Sequence, residues 1–352
     1  MRKILLILVM IQLVVVAKSQ SPQLKELWKL FDKKKYDELI EKGKELLEKN
    51  PDQVEYNFWV GRAYFRKELA EESLPYFLKA AKHDDPHSTI KARAQLYLGV
   101  CYYMKGDLEK SREAFIEGRS IKTYAWYNES NEYYYERLGF DEFYKDWSNF
   151  ETEHFRFYFQ DTTDINHNRF MNDCEIAYCK IDSFFNAELP KKIDYFVWAS
   201  RIDAMNILKR ELSYTDGYLC YIHGGNNETE GHEIAHDISF NSVDVEKYQT
   251  FIYEGTATYF DQTNLNKEEY FKELMKRSKK KKVSVKDVWL HWRDYDSNYF
   301  YTLGGLFVGE LIKEYGKEKF LEFFVNQSYD NAKKVFGKGF DDFIKEFEAK
   351  FN

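Results

Sequence analysis

The chain has 352 residues, enough for two domains, with 44% hydrophobic and 18% aromatic content, which is globular material and not a disordered tail. Its formal charge of -7 is spread over mixed signs. No long basic patch interleaved with aromatics is present, so nucleic acid is a poor partner for it.

The first twenty residues, MRKILLILVMIQLVVVAKSQ, stand apart. Arg2 and Lys3 precede an apolar run from Ile4 to Ala17 that only Gln12 breaks, and Ala17-Lys18-Ser19 is a small-x-small cleavage pattern. This layout predicts a signal peptide over residues 1–19, cleaved near Ser19–Gln20, and hence a secreted or periplasmic protein with no stable membrane span after cleavage. The alternative is an uncleaved segment that anchors the chain to a membrane. Cysteines lie at 101, 174, 179 and 220, none near the cleavage point, so a lipid anchor has no support. Sequence cannot choose among the possible disulfide pairings. Cys174 and Cys179, five apart on an expected helix, are poorly placed to bridge each other, and the absence of CxxC leaves a thiolate zinc site unsupported.

Residues 20–122 are expected to be helical, since glycine and proline are scarce and apolar residues recur at intervals of three and four. A repeat runs through them. Val60-Gly61 and Tyr64 are matched by Leu98-Gly99 and Tyr102, and Phe77 and Ala80 by Phe115 and Gly118, every pair displaced by 38 residues. Small residues where paired helices cross, with aromatics beside them, describe a helix-turn-helix unit that stacks on its neighbour. The pattern resembles the tetratricopeptide repeat, with Gly61, Tyr64, Phe77 and Ala80 at its signature positions. An insertion around Asp84-Asp85-Pro86-His87 lengthens the period, and LWKLFDKKKYDELIEKGKELLEKNP before it is a degenerate first unit. The resemblance implies either a surface for a protein or peptide partner or a packing module that props up the second domain. Residues 123–149, rich in Tyr, Trp, Asn and Glu, are expected to form a connector.

From residue 150 to 352 the pattern changes to α+β. Strands are expected at Glu151–Phe159, Ile193–Trp198 and Gly217–His223, with helices at Ile165–Phe185 and Ile202–Glu211. Helical pattern then continues nearly to the end, apart from the solvated run Lys279–Lys282.

The stretch Gly231-His-Glu-Ile-Ala-His236 opens that helical part. Residues four apart share a helix face, so His232 and His236 can reach one ion through neutral imidazoles. Glu233 is rotated by roughly 100° from His232 and can stand beside the ion without binding it, placed to take a proton from water. A catalytic zinc needs a third ligand and one open position. Glu254, eighteen residues after His236 in YEGTATYF, supplies a carboxylate from a second helix, and Gly255 and Ala257 allow close helix approach. Two imidazoles and a carboxylate favour Zn2+ over other divalent metals.

Together these residues resemble the gluzincin metallopeptidases, in the peptidase MA-like branch, whose members often carry tetratricopeptide repeats. Tyr301 to Gly316 and Phe340 to Phe347 are similar to that branch's closing segments. The resemblance implies a thermolysin-like domain with zinc on His232, His236 and Glu254, Glu233 as base, and a tyrosine that donates to the oxyanion. Tyr301 lies where the resemblance puts that tyrosine, Tyr299 is its rival, and His291 is a further alternative. His223 is expected to be strand structure. The family's edge strand would correspond to Gly217–Ile222. The segment that anchors a free amino terminus in the aminopeptidases is missing, so an endopeptidase is expected. The opposing readings are a non-catalytic repeat protein with a structural or vestigial zinc site, and a metallohydrolase acting on other substrates. Sequons lie at Asn128, Asn227 and Asn326.

Overall fold

With little glycine or proline to interrupt it, the chain from Pro22 to Arg137 folds as a succession of helices. A computed structural model describes residues 21–85, 87–123, 125–263, 265–278 and 282–352, with residues 125–128 as backbone only. The expected signal segment lies outside the described residues, as does most of the Lys279–Lys282 run. The chain divides into two compact units between Asp141 and Glu142.

In the first unit the helices are α1 (Pro22–Asp32), α2 (Tyr36–Lys49), α3 (Val54–Arg66), α4 (Ala70–Ala80), α5 (Thr89–Met104), α6 (Leu108–Ser120) and α7 (Ala125–Arg137). Neighbours pack as pairs: α1 with α2, α3 with α4, α5 with α6. The 38-residue displacement has a direct structural meaning. A Cβ on Gly61 would lie 3.0 Å from the Phe77 ring, and one on Gly99 would lie 2.6 Å from the Phe115 ring. The α3–α4 and α5–α6 pairs are therefore each closed by an aromatic seated on a glycine of the preceding helix. The turn inside each pair holds one residue at positive φ, namely Lys34, Glu68 and Gly106.

The segment expected to be a connector is structured instead. Helix α7 packs on α5 and α6 and closes the stack within the first unit. Its Asn131 is fully buried, donates to the Ala92 carbonyl at 3.3 Å, and occupies the space a Cβ on Gly118 would need.

The second unit opens with β1 (Ser148–Glu151) and β2 (Phe155–Phe159). These pair antiparallel, so the run expected as one strand is a hairpin that turns at Thr152–His154. Helix α8 (His167–Phe185) crosses to β3 (Ile193–Trp198), and α9 (Arg201–Leu208) leads to β4 (Tyr214–Asp216) and β5 (Tyr221–Gly225). The sheet is mixed, in the order β1-β2-β3-β5-β4, with β2, β3 and β5 parallel and β4 antiparallel to β5. Alternation sorts its side chains. Phe155, Phe157, Phe159, Tyr195 and Ile222 join the core with Phe170, Cys174 and Ile181 of α8. On the other face Tyr158, Phe196 and His223 stack ring on ring.

After the sheet come α10 (His232–Ser242), α11 (Thr250–Phe260), α12 (Lys267–Arg277), α13 (Val285–His291), α14 (Ser297–Tyr315), α15 (Lys317–Val325), α16 (Tyr329–Phe336) and α17 (Phe340–Ala349). The chain is thus mostly helical with a small mixed sheet. Among the described residues no helix is long and apolar enough to cross a membrane.

Helices α11 and α14 cross at backbone contact. A Cβ on Gly255 would lie 2.7 Å from the Gly304 carbonyl carbon, and one on Gly304 would lie 2.9 Å from both the Gly255 Cα and the Phe251 oxygen. The obstacle is backbone, which cannot rotate away. Gly304→Ala is expected to destabilise the protein by about 1–3 kcal/mol through overpacking, after the small gain in helix propensity is offset. A urea midpoint equal to or above wild type would refute this.

Candidate metal centre

His232 is the first residue of α10 and His236 lies one turn later on the same face. Their rings are 5.0 Å apart and nearly perpendicular. Glu254, from the second turn of α11, reaches between them. Its Oε2 is 3.3 Å from His232 Nε2 and 3.2 Å from His236 Nε2. One ligand atom from each residue lies within 4.8 Å of the others.

These separations test whether a metal fits. Ligands at about 2.0–2.1 Å from a tetrahedral zinc are roughly 3.3 Å from one another. Two of the three edges already have that length, and the donors are two imidazole nitrogens and one carboxylate oxygen. The set therefore suits zinc, and Glu233 is not a member of it.

Three local features hold the ligands in place. Gly231, the residue before α10, has φ 114°, and a Cβ there would lie 2.8 Å from the Phe260 oxygen and 3.3 Å from the Gln262 nitrogen. The Gln262 amide donates to the Glu230 carbonyl at 2.7 Å, so the start of α10 is fastened to the end of α11. Tyr253 stacks on His236 with centroids 4.4 Å apart and ring planes 14° from parallel, fixing that imidazole. Asp237, on the buried side of α10, bonds to the Thr215 hydroxyl of β4 and ties the helix to the sheet edge.

Electrostatics follow from this convergence. Burial pushes the Glu254 carboxyl upward, but the charges and hydrogen bonds of His236 and His232 overcome it and hold the group far below the usual carboxylate range. Burial likewise disfavours a charged His232, and Glu254 and Glu233 reverse that and raise its pKa. An anion held between two imidazoles at one corner is a ready ligand set for a dication.

Tyr301 stands one turn before Gly304 on α14, its ring 5.8 Å from that of His232. Burial and the charges of Glu254 and Glu233 raise its pKa, so it remains a protonated donor. Tyr299 turns the other way, its hydroxyl on Met275 Sδ at 3.2 Å in the core. His223 is buried in β5, where its Nδ1 accepts from the Trp198 indole at 2.9 Å. His291 is exposed and pairs with Asp287 at 2.9 Å. The edge-strand expectation needs correction. Gly217–Cys220 form a turn and β5 lies inside the sheet, so the edge strand beside α10 is β4.

Sequence reasoning missed Tyr248. It precedes α11 and packs its ring 4.8 Å from that of Tyr253, and the charge of Glu254, after burial, raises its pKa. Its position six residues before Glu254, outside any helical motif, carried no signal.

A family model described as tetratricopeptide repeat matches residues 36–89, the span of α2, α3 and α4. The first unit thus carries a tetratricopeptide repeat. No curated protein matches the chain.

Proposed function

We propose that the second unit is a gluzincin-like, thermolysin-like zinc metallopeptidase, acting as an endopeptidase, and that the chain is exported by its first nineteen residues. The observation that carries this reading is the meeting of Glu254 with His232 and His236 from a separate helix, with Glu233 beside the set but outside it. A purely structural site would have no use for Glu233 next to it or for a protonated tyrosine facing it, and this favours chemistry over the non-catalytic reading.

Zinc, when bound, supplies a Lewis acid and brings the pKa of a coordinated water toward neutrality. His232, His236 and Glu254 would hold it. Glu233 accepts a proton from the attacking water as its oxygen adds to the peptide carbonyl carbon. The same carboxyl returns that proton to the nitrogen as the carbon–nitrogen bond breaks. Tyr301 donates a hydrogen bond to the carbonyl oxygen as it gains negative charge.

The test is metal analysis of the purified mature protein together with digestion of a peptide library, with and without a chelator. Stoichiometric zinc and chelator-sensitive cleavage at internal bonds are expected. A metal-loaded protein that cleaves no peptide would favour the binding-protein reading, and cleavage of non-peptide substrates alone would favour the other hydrolase.

A further inference from the structure

One aromatic ring beside the metal centre is exposed and yet held. Tyr248 is 44% exposed, in the segment that joins α10 to α11. Backbone hydrogen bonds fasten that segment on both sides of the tyrosine. Before it, the Glu246 and Lys247 amides donate to the Val325 carbonyl at 2.9 and 3.3 Å, and the Gln327 amide donates to the Lys247 carbonyl at 2.9 Å. After it, the Gln249 amide donates to Gln327 Oε1 at 2.9 Å. Gln327 is fully buried, so this clamp is rooted in the core between α15 and α16.

The contacts of this ring lead to the ligands. Tyr248 packs on Tyr253, which stacks on His236, and both Glu254 and Tyr301 act electrostatically on its hydroxyl. A second exposed ring belongs to α10 itself. Phe240 is 43% exposed and stands four residues after His236, one turn further along the same side of the helix. Every residue of α10 from Ile234 to Ser239 is buried, so the exposed ring is an exception. Phe240 lies over Gly217 in the turn that leaves β4. A Cβ on that glycine would lie 2.7 Å from the Phe240 Cβ and Cγ. A single apolar side chain on a surface needs no explanation. Two rings that continue the ligand-bearing side of a helix, one of them on a clamped backbone, are a different matter. Ordering a loop on binding costs affinity, and a ring fixed in advance avoids that cost.

We propose that Tyr248 and Phe240 form the subsite that takes an aromatic side chain of the peptide substrate beside the cleaved bond, with Tyr248 setting specificity through its ring and not its hydroxyl. A flat apolar face pairs best with another ring, in offset or edge-on contact. The hydroxyl's part at this centre belongs to Tyr301. The inference rests on the peptidase reading of the metal centre and adds a substrate class to it.

The test digests a peptide library with the mature, zinc-loaded protein and identifies the cut sites by mass spectrometry. Phe, Tyr and Trp are expected to be enriched on one side of the cut. Two peptides that differ only there, Phe in one and Ala in the other, are then compared. The Phe peptide should be cleaved with at least about tenfold higher kcat/KM. Tyr248→Ala and Phe240→Ala should each lower that ratio at least about threefold, mainly through KM, with zinc and helical content as in wild type. Tyr248→Phe should hold the ratio within about twofold, since it keeps the ring. Cleavage without aromatic preference, or an unchanged ratio in either alanine variant, overturns the proposal and leaves the peptidase reading standing. A Tyr248→Phe ratio as low as that of Tyr248→Ala overturns it in favour of a hydroxyl role, and loss of zinc in Tyr248→Ala overturns it in favour of support for Tyr253 and His236. Cleavage of no peptide at all overturns both readings.

Discussion

Glu233→Gln is expected to keep its zinc and to lose peptide cleavage by about 10²- to 10⁴-fold. Two features make this variant discriminating. Glu233 is outside the group of three converging ligand atoms, so its substitution removes no donor from the metal. The amide also has nearly the same shape as the carboxyl, so α10 and its fastening through Gly231 and Gln262 stay as they are. What changes, on the proposed mechanism, is the proton acceptor. The fall should lie mainly in kcat, with KM little altered, because the missing interaction belongs to the transition state. Metal content by elemental analysis and cleavage of one peptide by chromatography measure both halves. Unchanged turnover would remove Glu233 from the mechanism, and loss of zinc would make it a structural neighbour.

How much of this was legible in the sequence depends on the range of the interactions involved. The pairing of His232 with His236 is a matter of one helical turn, and spacing alone encodes it. Glu254 was legible through its distance from His236 and the small Gly255 and Ala257 that follow it, and the structure gives the glycine its reason, which is backbone contact with Gly304. The helical repeats were visible through Gly61 with Phe77 and Gly99 with Phe115. Their turns were hidden, since two of the three positive-φ positions are Lys34 and Glu68 where glycine would have marked them. Helix α7 escaped because its buried position Asn131 is polar and satisfied by a carbonyl on another helix, which breaks the apolar stripe. The β1–β2 turn at Thr152–His154 contains neither glycine nor proline, so alternation seemed to run straight through it. The placing of Tyr248 beside Tyr253 depends on how the chain packs in space, and pattern along the chain does not carry that.

If the proposed zinc centre holds, His236→Ala is expected to lower zinc content to a small fraction of wild type and to abolish the stabilisation that bound zinc would confer. His236 is the more buried of the two imidazoles and stacks on Tyr253. Its loss removes one donor and leaves Glu254 buried with a single imidazole. The affinity should fall by more than the roughly 10- to 100-fold that loss of a supporting residue costs, because a direct ligand is gone. Stability reports the same event independently. A ligand bound to the native state adds about 4 kcal/mol at a thousand times its dissociation constant. Melting temperature in the wild type should therefore rise with added zinc and fall with a chelator, while the variant responds to neither. The comparison within each protein separates the two causes of instability, since the cavity left by the imidazole lowers both of the variant's melting temperatures equally and only the metal changes their difference. Equal zinc content in the two proteins, or an equal zinc-induced shift, would mean that His236 is not a ligand.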